Sequence, residues 1–74
     1  MISTPNPTLQ TIGKNLRRIR KLSGRSQEGL ALDAEIDRTY VSQIERGIAN
    51  PSVVVLKRIA SCLNSSLAEL VAGA

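Results

Sequence analysis

Four side chains able to donate hydrogen bonds stand close together between Asp37 and Gly47. Asp37 can cap the start of a helix, and Gly47 is a natural helix stop. Val41 and Ile44 are three residues apart and can face one core, which turns the polar side chains outward. The outward donors are Arg38, Thr39, Ser42 and Gln43. Such a short helix is able to lie in the major groove of DNA and read base edges; the alternative is an ordinary surface helix.

Catalytic chemistry finds little support in the chain. There is no histidine, so the usual general base near neutral pH is missing. The one cysteine, Cys62, has no predicted base beside it and is expected to be a small apolar packing residue. No Cys/His cluster could hold zinc, and no Gly-rich phosphate loop occurs. We therefore expect a protein that is not an enzyme and binds no metal, cofactor or small-molecule ligand.

Composition predicts one small helical domain. A chain of 74 residues buries only about 60–65% of its unfolded surface, so pairing with a second copy would help to stabilise it. The only aromatic residue is Tyr40, which leaves an aliphatic core, and Leu-rich segments with helical spacing indicate an all-α fold. A single cysteine, no apolar run of membrane-spanning length and no signal-peptide core in residues 1–8 favour a cytoplasmic location.

The net charge of +4 is unevenly distributed along the chain. Six cations fall within residues 14–25, whereas residues 26–46 are net negative. A basic first helix could sit near phosphates, or it could simply be a solvated face. The cations are Lys14, Arg17, Arg18, Arg20, Lys21 and Arg25.

The first half of the chain predicts two helices after a short arm. Residues 1–8 contain two prolines and show no helical periodicity, so we predict a disordered arm there and a folded domain over residues 9–72. Thr8 is the predicted cap of a helix over residues 9–22, and Ser26 that of a helix over residues 27–34. The first helix carries an apolar stripe at spacings of three and four. The stripe comprises Leu9, Ile12, Leu16, Ile19 and Leu22.

The second half predicts two further helices after the one at residues 38–45. Ser52 is the predicted cap of a helix over residues 53–63, and Ser66 with Glu69 forms a capping box for a last short helix. Val54 and Val55 lie off the apolar stripe of the longer helix, so they are expected to be exposed and to form a contact surface. That stripe comprises Val53, Leu56, Ile59, Ala60 and Leu63.

Two short helices joined by a tight turn, the second exposing hydrogen-bonding side chains, form the arrangement of a helix-turn-helix. With this pattern the chain resembles the repressor-type helix-turn-helix domains of the Cro and phage-repressor kind, the XRE type. The resemblance covers residues 9–70, and the short length looks most like controller proteins of restriction–modification systems. The residues that carry it are Ser26, Gln27, Glu28, Leu30, Ala31, Ile36, residues 38–47, Asn50, Pro51, Ser52, Leu56, Ile59, Ala60 and Leu63.

The resemblance implies a compact five-helix, lambda-repressor-like fold in which helices two and three form the helix-turn-helix. It implies that Arg38, Thr39, Ser42 and Gln43 read bases. Arg38 is able to bind guanine O6 and N7 with two hydrogen bonds, and Gln43 can do the same for adenine. The alternative for Arg38 is a surface ion pair with Asp37 or Glu35.

The same resemblance implies contacts to the DNA backbone from Ser26, Gln27, Arg46 and Asn50. Ser26 and Gln27 stand at a helix N-terminus, where free amides and the helix dipole favour anions, although Ser26 could serve only as a cap. For Tyr40 two interpretations are open, a core-filling ring or a hydroxyl that reaches DNA, and we favour the second.

Arg20 and Glu45 match positions that form a partly buried ion pair in this family, which would hold the third helix against the first. Three features depart from the family pattern. The loop after Gly47 often holds basic residues in this family, whereas Ile48 and Ala49 are not basic. Helix two commonly ends at glycine, where this chain has Glu35, and a left-handed conformation there would cost about 1–2 kcal/mol, so the turn is expected to be altered. Ser65 stands where an aliphatic residue is usual.

The free energy needed to discriminate one DNA sequence from others predicts a homodimer. Two bidentate base contacts give one protomer roughly 2–6 kcal/mol of discrimination, whereas specific regulators need about 4–10 kcal/mol. Two-fold pairing would place the two reading helices about 34 Å apart on a near-palindromic site. The apolar surface available for pairing comprises Val54, Val55, Leu67, Leu70 and Val71.

The sequence therefore predicts a transcription regulator that binds double-stranded DNA, with no membrane partner. The alternative is a protein-interaction module such as an antitoxin of the same fold, although little chain remains here for a toxin-binding segment. RNA binding is a third possibility with less support, because Tyr40 alone offers no stacking surface.

Overall fold

The computed structural model describes residues 6–74, and within them every regular element is a helix. This confirms the all-α class, the five helices and the helix-turn-helix formed by the second and third. No helix in this range is long and apolar enough to cross a membrane. The helices are α1 (Pro7–Leu22), α2 (Gln27–Ala34), α3 (Arg38–Glu45), α4 (Val53–Cys62) and α5 (Leu67–Val71).

Helix α1 begins two residues earlier than predicted. Asn6 is the cap, and its side chain accepts a hydrogen bond of 3.2 Å from the Leu9 amide. Pro7 follows at the first helical position, where its missing N–H costs nothing and its fixed φ suits the helix. The prediction that Thr8 caps α1 was therefore wrong. Residues 6–8 belong to the helix and its cap, and the rest of the predicted arm lies outside the described residues.

The caps of the other four helices are those that the sequence predicted. Each cap side chain accepts a hydrogen bond from a backbone amide of the first helical turn and so satisfies one of the free donors there. These bonds run from Gly29 to Ser26, from Thr39 to Asp37, from Val55 to Ser52 and from Glu69 to Ser66. The helix boundaries are thus set mainly by local side-chain chemistry.

The core is aliphatic, as the composition predicted, but three residues assigned to apolar stripes, Leu9, Leu22 and Val53, are outside it. Leu22 is 78% exposed and Val53 is 63% exposed. Leu22 is the last residue of α1 and Val53 the first of α4, and at a helix end no neighbouring helix covers the stripe. The buried core consists of Ile12, Leu16, Ile19, Leu30, Ala31, Ala34, Val41, Ile44, Leu56, Ile59, Ala60, Leu63 and Leu70.

Helix α5 is held against α1 by a side chain that caps its C-terminal end. The Asn15 amide nitrogen donates to the carbonyls of Leu70 and Ala72, both at 2.9 Å. Leu70 itself is fully buried, so the prediction that its side chain contacts a partner was wrong. A helix as short as α5 is stable only through its packing against the rest of the protein. The Leu70 side chain provides that packing, so it faces the core.

Two polar residues that follow α4 are in unfavourable arrangements: one has a left-handed backbone conformation, and the other has a buried hydroxyl. Asn64 adopts a left-handed conformation, with φ of 53°, which asparagine tolerates at the end of a helix. The next residue, Ser65, has a buried hydroxyl without a hydrogen-bond partner in residues 6–74. An unsatisfied buried hydroxyl costs free energy that an aliphatic side chain would not.

Replacing Ser65 should therefore stabilise the fold. We expect Ser65→Ala to raise the free energy of unfolding by about 1 kcal/mol, which corresponds to about 4–8 °C in Tm for a domain of this size. Ser61→Ala is the matched control, because the Ser61 hydroxyl is exposed and donates to the Lys57 carbonyl. Thermal unfolding of both variants checks this, and an equal or lower Tm for Ser65→Ala would show that the hydroxyl is satisfied in solution.

Candidate nucleic-acid interface

Helix α3 presents one polar face to the solvent. Its apolar side is anchored by Val41 and Ile44, which are buried against α1 and α2. The predicted base-reading residues form two pairs separated by four positions, which places them on the same side of the helix. In the structure Arg38 and Thr39 are exposed, whereas Ser42 and Gln43 are half-buried. The structure thus brings all four together on a surface that a DNA groove could reach.

The C-terminal end of α3 is tied to α1 by the Arg20–Glu45 contact. Arg20 Nε lies 2.6 Å from Glu45 Oε2, and Arg20 Nη2 lies 3.0 Å from Glu45 Oε1. The side chains are 10% and 4% exposed, so this two-bond pair is largely shielded from water. The hydrogen bond to Glu45 raises the pKa of Arg20 above its usual value, although burial acts in the opposite direction.

The same carboxylate also binds α2. Gln27 Nε2 donates to Glu45 Oε1 at 3.1 Å, and Arg20 Nη1 donates to the Arg25 carbonyl at 2.9 Å. One carboxylate therefore receives hydrogen bonds from side chains of two other helices. The side-chain amide of Gln27 already donates one of its two hydrogens to Glu45. The predicted phosphate contact of Gln27 would therefore use its backbone N–H or the second hydrogen of the side-chain amide.

A close approach between backbones brings α1 onto α3, and the sequence reasoning did not identify it. A Cβ atom at Gly13 would lie 2.5 Å from the Ile44 carbonyl oxygen and 2.6 Å from that of Glu45. Any larger residue would push the end of α3 away from α1. The available signal was a glycine inside an otherwise favourable helix, since glycine there costs about 1 kcal/mol and suggests a packing reason.

The turn between α2 and α3 keeps the geometry that a glycine would give it. Glu35 adopts the left-handed conformation, with φ of 57° and ψ of 45°. The Ile36 amide donates to the Ala31 carbonyl at 3.0 Å, which closes the end of α2. The expectation that Glu35 alters this turn was wrong. The chain adopts the strained conformation, because buried residues on both sides fix where the two helices lie.

The predicted backbone contacts surround α3 in different degrees of exposure. Ser26, Arg46 and Asn50 are exposed, and Gln27 is half-buried. The Ser26 hydroxyl oxygen accepts from the Gly29 amide at 2.9 Å, so Ser26 does act as a cap. Tyr40 is half-buried and packs against the core, an arrangement that agrees with the core interpretation and still leaves the second interpretation untested. No group of His, Cys, Asp and Glu in residues 6–74 is placed to hold a metal ion.

Comparison with known families is decisive for the class of protein. The HTH_3 helix-turn-helix family model matches residues 16–70, which include all of α2, α3 and α4. The chain belongs to this helix-turn-helix family of DNA-binding regulators. This family is not composed of enzymes.

The proteins similar to this chain include controller proteins and another transcriptional regulator. Control protein C.MunI from Mycoplasma sp is 42% identical over 59 residues, which are 78% of this chain and 80% of C.MunI. The transcriptional regulator SlrR from Bacillus subtilis (strain 168) is also 42% identical, but the match spans only 40% of SlrR. The crystal structure of the controller protein C.AhdI from Aeromonas hydrophila superposes with a TM-score of 0.81 and 40% identity over 84% of this chain and 94% of that one. The resemblance to controller proteins is thereby confirmed.

Loss of the Arg20 side chain should destabilise the helix-turn-helix strongly. Arg20→Ala leaves the Glu45 carboxylate shielded from water without its partner, and we expect a loss of about 3–5 kcal/mol, out of roughly 4–11 kcal/mol for a domain of 74 residues. Lys21→Ala, on the exposed side of α1, is the control and should change stability by less than about 0.5 kcal/mol. Urea unfolding measures both, and equal stabilities would exclude a structural role for the pair.

The strained turn makes a second prediction. Glu35→Gly should be more stable than Glu35→Ala by about 1 kcal/mol, because glycine adopts the left-handed conformation without a Cβ clash, whereas alanine does not. The two variants remove the same charge, so their difference isolates the backbone term. Parallel thermal unfolding of the pair gives the answer, and an alanine variant as stable as the glycine variant would show that Glu35 is not strained.

Proposed function

We propose that this chain is a sequence-specific transcription regulator that binds a near-palindromic operator as a homodimer, with α3 in the major groove. The observation that carries the proposal is the polar face of α3, four hydrogen-bonding side chains on a helix whose other side and C-terminal end are fixed by the core and by Glu45. A rigid helix that presents donors in register is what reading base edges requires.

Within this proposal each residue of the α3 face has a distinct role. Arg38 binds a guanine through two hydrogen bonds, and Gln43 binds an adenine in the same manner. The Thr39 methyl contacts a thymine methyl, and the Ser42 hydroxyl contacts either kind of base. Arg38 is exposed and has no salt bridge among those in residues 6–74, which supports this role over a surface ion pair.

The proposed contacts to the DNA backbone fix the position of α3 without reading sequence. At the N-terminus of α2 the Gly29 amide is bound by Ser26, so the amides of Gln27 and Glu28 remain for a phosphate. Arg46 and Asn50 follow the C-terminal end of α3 and are exposed, and we assign them to phosphates as well. The Tyr40 hydroxyl completes the proposed set.

The dimer is proposed to form through α4 and α5, with a surface that differs from the one predicted from sequence. Val54 is 68% exposed, and its neighbour Val53 is exposed too. Val55, Leu67 and Val71 are half-buried and pack against the core, which leaves part of each available to a partner. Leu70 lies in the core and is not part of this surface. Pairing through the side chains of this surface would remove their exposed apolar area from water.

Among regulators, we propose the restriction–modification controller type. The support is that this chain aligns with most of C.MunI and C.AhdI at 42% and 40% identity, whereas it spans less than half of SlrR. A neighbouring gene for a restriction enzyme or methyltransferase would strengthen this assignment.

The base-reading role is tested by selecting bound sites from random duplex DNA. We expect an enriched near-palindrome, and Arg38→Ala should reduce the preference at one base pair of each half-site roughly 5- to 150-fold, the equivalent of about 1–3 kcal/mol. Arg46→Ala is the matched control, since loss of a phosphate contact weakens binding to all sequences alike. Absence of any enriched site, or identical behaviour of the two arginine variants, would contradict the proposal.

The dimer makes a separate prediction. Val54→Asp should shift the chain toward monomer in sedimentation at tens of micromolar protein, because a two-fold interface would then bury two facing carboxylates. Leu32→Asp serves as the control, since Leu32 is a similarly exposed apolar residue on α2, a helix that is not part of the proposed surface. A wild-type chain that is monomeric under these conditions would contradict the homodimer.

A further inference from the structure

Helix α1 carries a row of exposed cations whose presence is not explained by the proposed reading of bases by α3. Lys14, Arg17 and Lys21 are exposed and are separated by three and four positions, so they form one stripe along the helix, here called the α1 stripe. No acidic residue precedes Glu28 in the chain. The salt bridges within residues 6–74 involve Arg20 and Arg25, so the α1 stripe has no acidic partner there.

The α1 stripe borders the C-terminal end of α3. Gly13 lies against the carbonyls of Ile44 and Glu45, and Arg20 binds the Glu45 carboxylate. Arg17 is four residues after Gly13 and three before Arg20, which places it on the flank of α1 that adjoins α3. The two lysines of the stripe directly follow Gly13 and Arg20 in the chain, so the whole stripe runs beside that flank.

We propose that the α1 stripe binds the phosphodiester backbone of the same duplex whose major groove receives α3. The inference rests on the proposed DNA binding and extends it to a surface that neither the family pattern nor the reading helix requires. The stripe covers seven helical steps, about 10 Å, and one strand carries a phosphate about every 3.4 Å along the duplex axis. Its length therefore spans a few phosphates.

Continuity with the proposed interface favours DNA over an acidic protein as the occupant. Gln27 binds Glu45, so the phosphate-binding N-terminus of α2 lies at the same end of α3 as the stripe. Arg46 is the exposed cap of that end. The α1 stripe, the N-terminus of α2 and Arg46 thus surround the C-terminal end of α3, and each of the three attracts negative charge. A protein bound to the stripe would compete with DNA for that region.

Arg18 provides an internal comparison on the same helix. Its Nη2 donates to Asn15 Oδ1 at 3.2 Å, and the Asn15 amide holds the end of α5. Arg18 therefore lies toward α5 and away from α3, although it has the same charge and is equally exposed. Its removal controls for a general effect of net charge on DNA binding.

The experiment measures how the dissociation constant depends on salt, from about 50 to 200 mM. The probes are a duplex with the site enriched from random DNA and a scrambled duplex of the same composition. The triple variant Lys14→Gln, Arg17→Gln, Lys21→Gln should lower the slope of log K against log salt by about 0.9 for each lost phosphate contact, about 2–3 in all. Affinity should fall by the same factor on both duplexes, and base preference should be unchanged.

The controls distinguish this proposal from the proposed function. Arg18→Gln should change the slope by less than half as much as Arg17→Gln, and thermal unfolding should show the triple variant folded, since none of its three side chains is buried. A slope equal to that of wild type would overturn the proposal. So would unchanged DNA binding with loss of binding to polyglutamate, which would assign the stripe to an acidic protein. If the wild type shows no preference for any site, sequence specificity fails, whereas the slope on scrambled DNA still tests the stripe.

Discussion

The position of α3 depends on the carboxylate of Glu45. This carboxylate is almost completely shielded from water and receives hydrogen bonds from Arg20 of α1 and Gln27 of α2. A buried carboxylate is costly unless such donors surround it. The three helices therefore have to meet at the C-terminal end of α3 in one arrangement. Gly13 makes that arrangement possible, because only the absence of a Cβ lets α1 approach the last carbonyls of α3.

This constraint links the interior of the protein to its polar surface. The apolar anchors Val41 and Ile44 fix which side of α3 faces inward. Glu45 fixes how far the end of α3 stands from α1. With both conditions met, the outward face of α3, the N-terminus of α2 and the α1 stripe have fixed relative positions. Fixed positions matter for recognition, since a misplacement of about 1 Å takes a donor beyond the distance at which it can hydrogen-bond to a base edge.

Local rules predicted most of the fold. Four of five helix caps followed from Ser or Asp ahead of an apolar pattern, and the boundaries of α2 and α3 were correct to the residue. The errors lie where the outcome depends on neighbours in space. Thr8 and Asn6 are both good caps, and Pro7 at the first helical position decides between them. Leu22 and Leu70 have similar apolar spacing, yet one ends outside the core and the other at its centre.

The candidate site was only partly predictable for the same reason. The resemblance supplied Arg20 and Glu45 as a pair, and the structure shows the contact, but nothing in the spacing connected Gly13 with Ile44 or Gln27 with Glu45. Those contacts join residues far apart in sequence. The fate of Glu35 was also out of reach, because a turn tolerates left-handed strain only when the packing on either side exceeds its cost. Such small unfavourable terms matter more in a domain of this size, because its total free energy of unfolding is small.

The most direct test of the account is the amide NMR spectrum of the protein during titration with the enriched duplex. If α3 binds the major groove, the largest changes occur at residues 38–43 and at the N-terminus of α2. Smaller changes are expected along α1 between residues 14 and 21, while the amides of buried α4 residues change little. The largest changes on α4 and α5, with residues 38–43 unaffected, would contradict the claim that α3 is the surface that reads DNA.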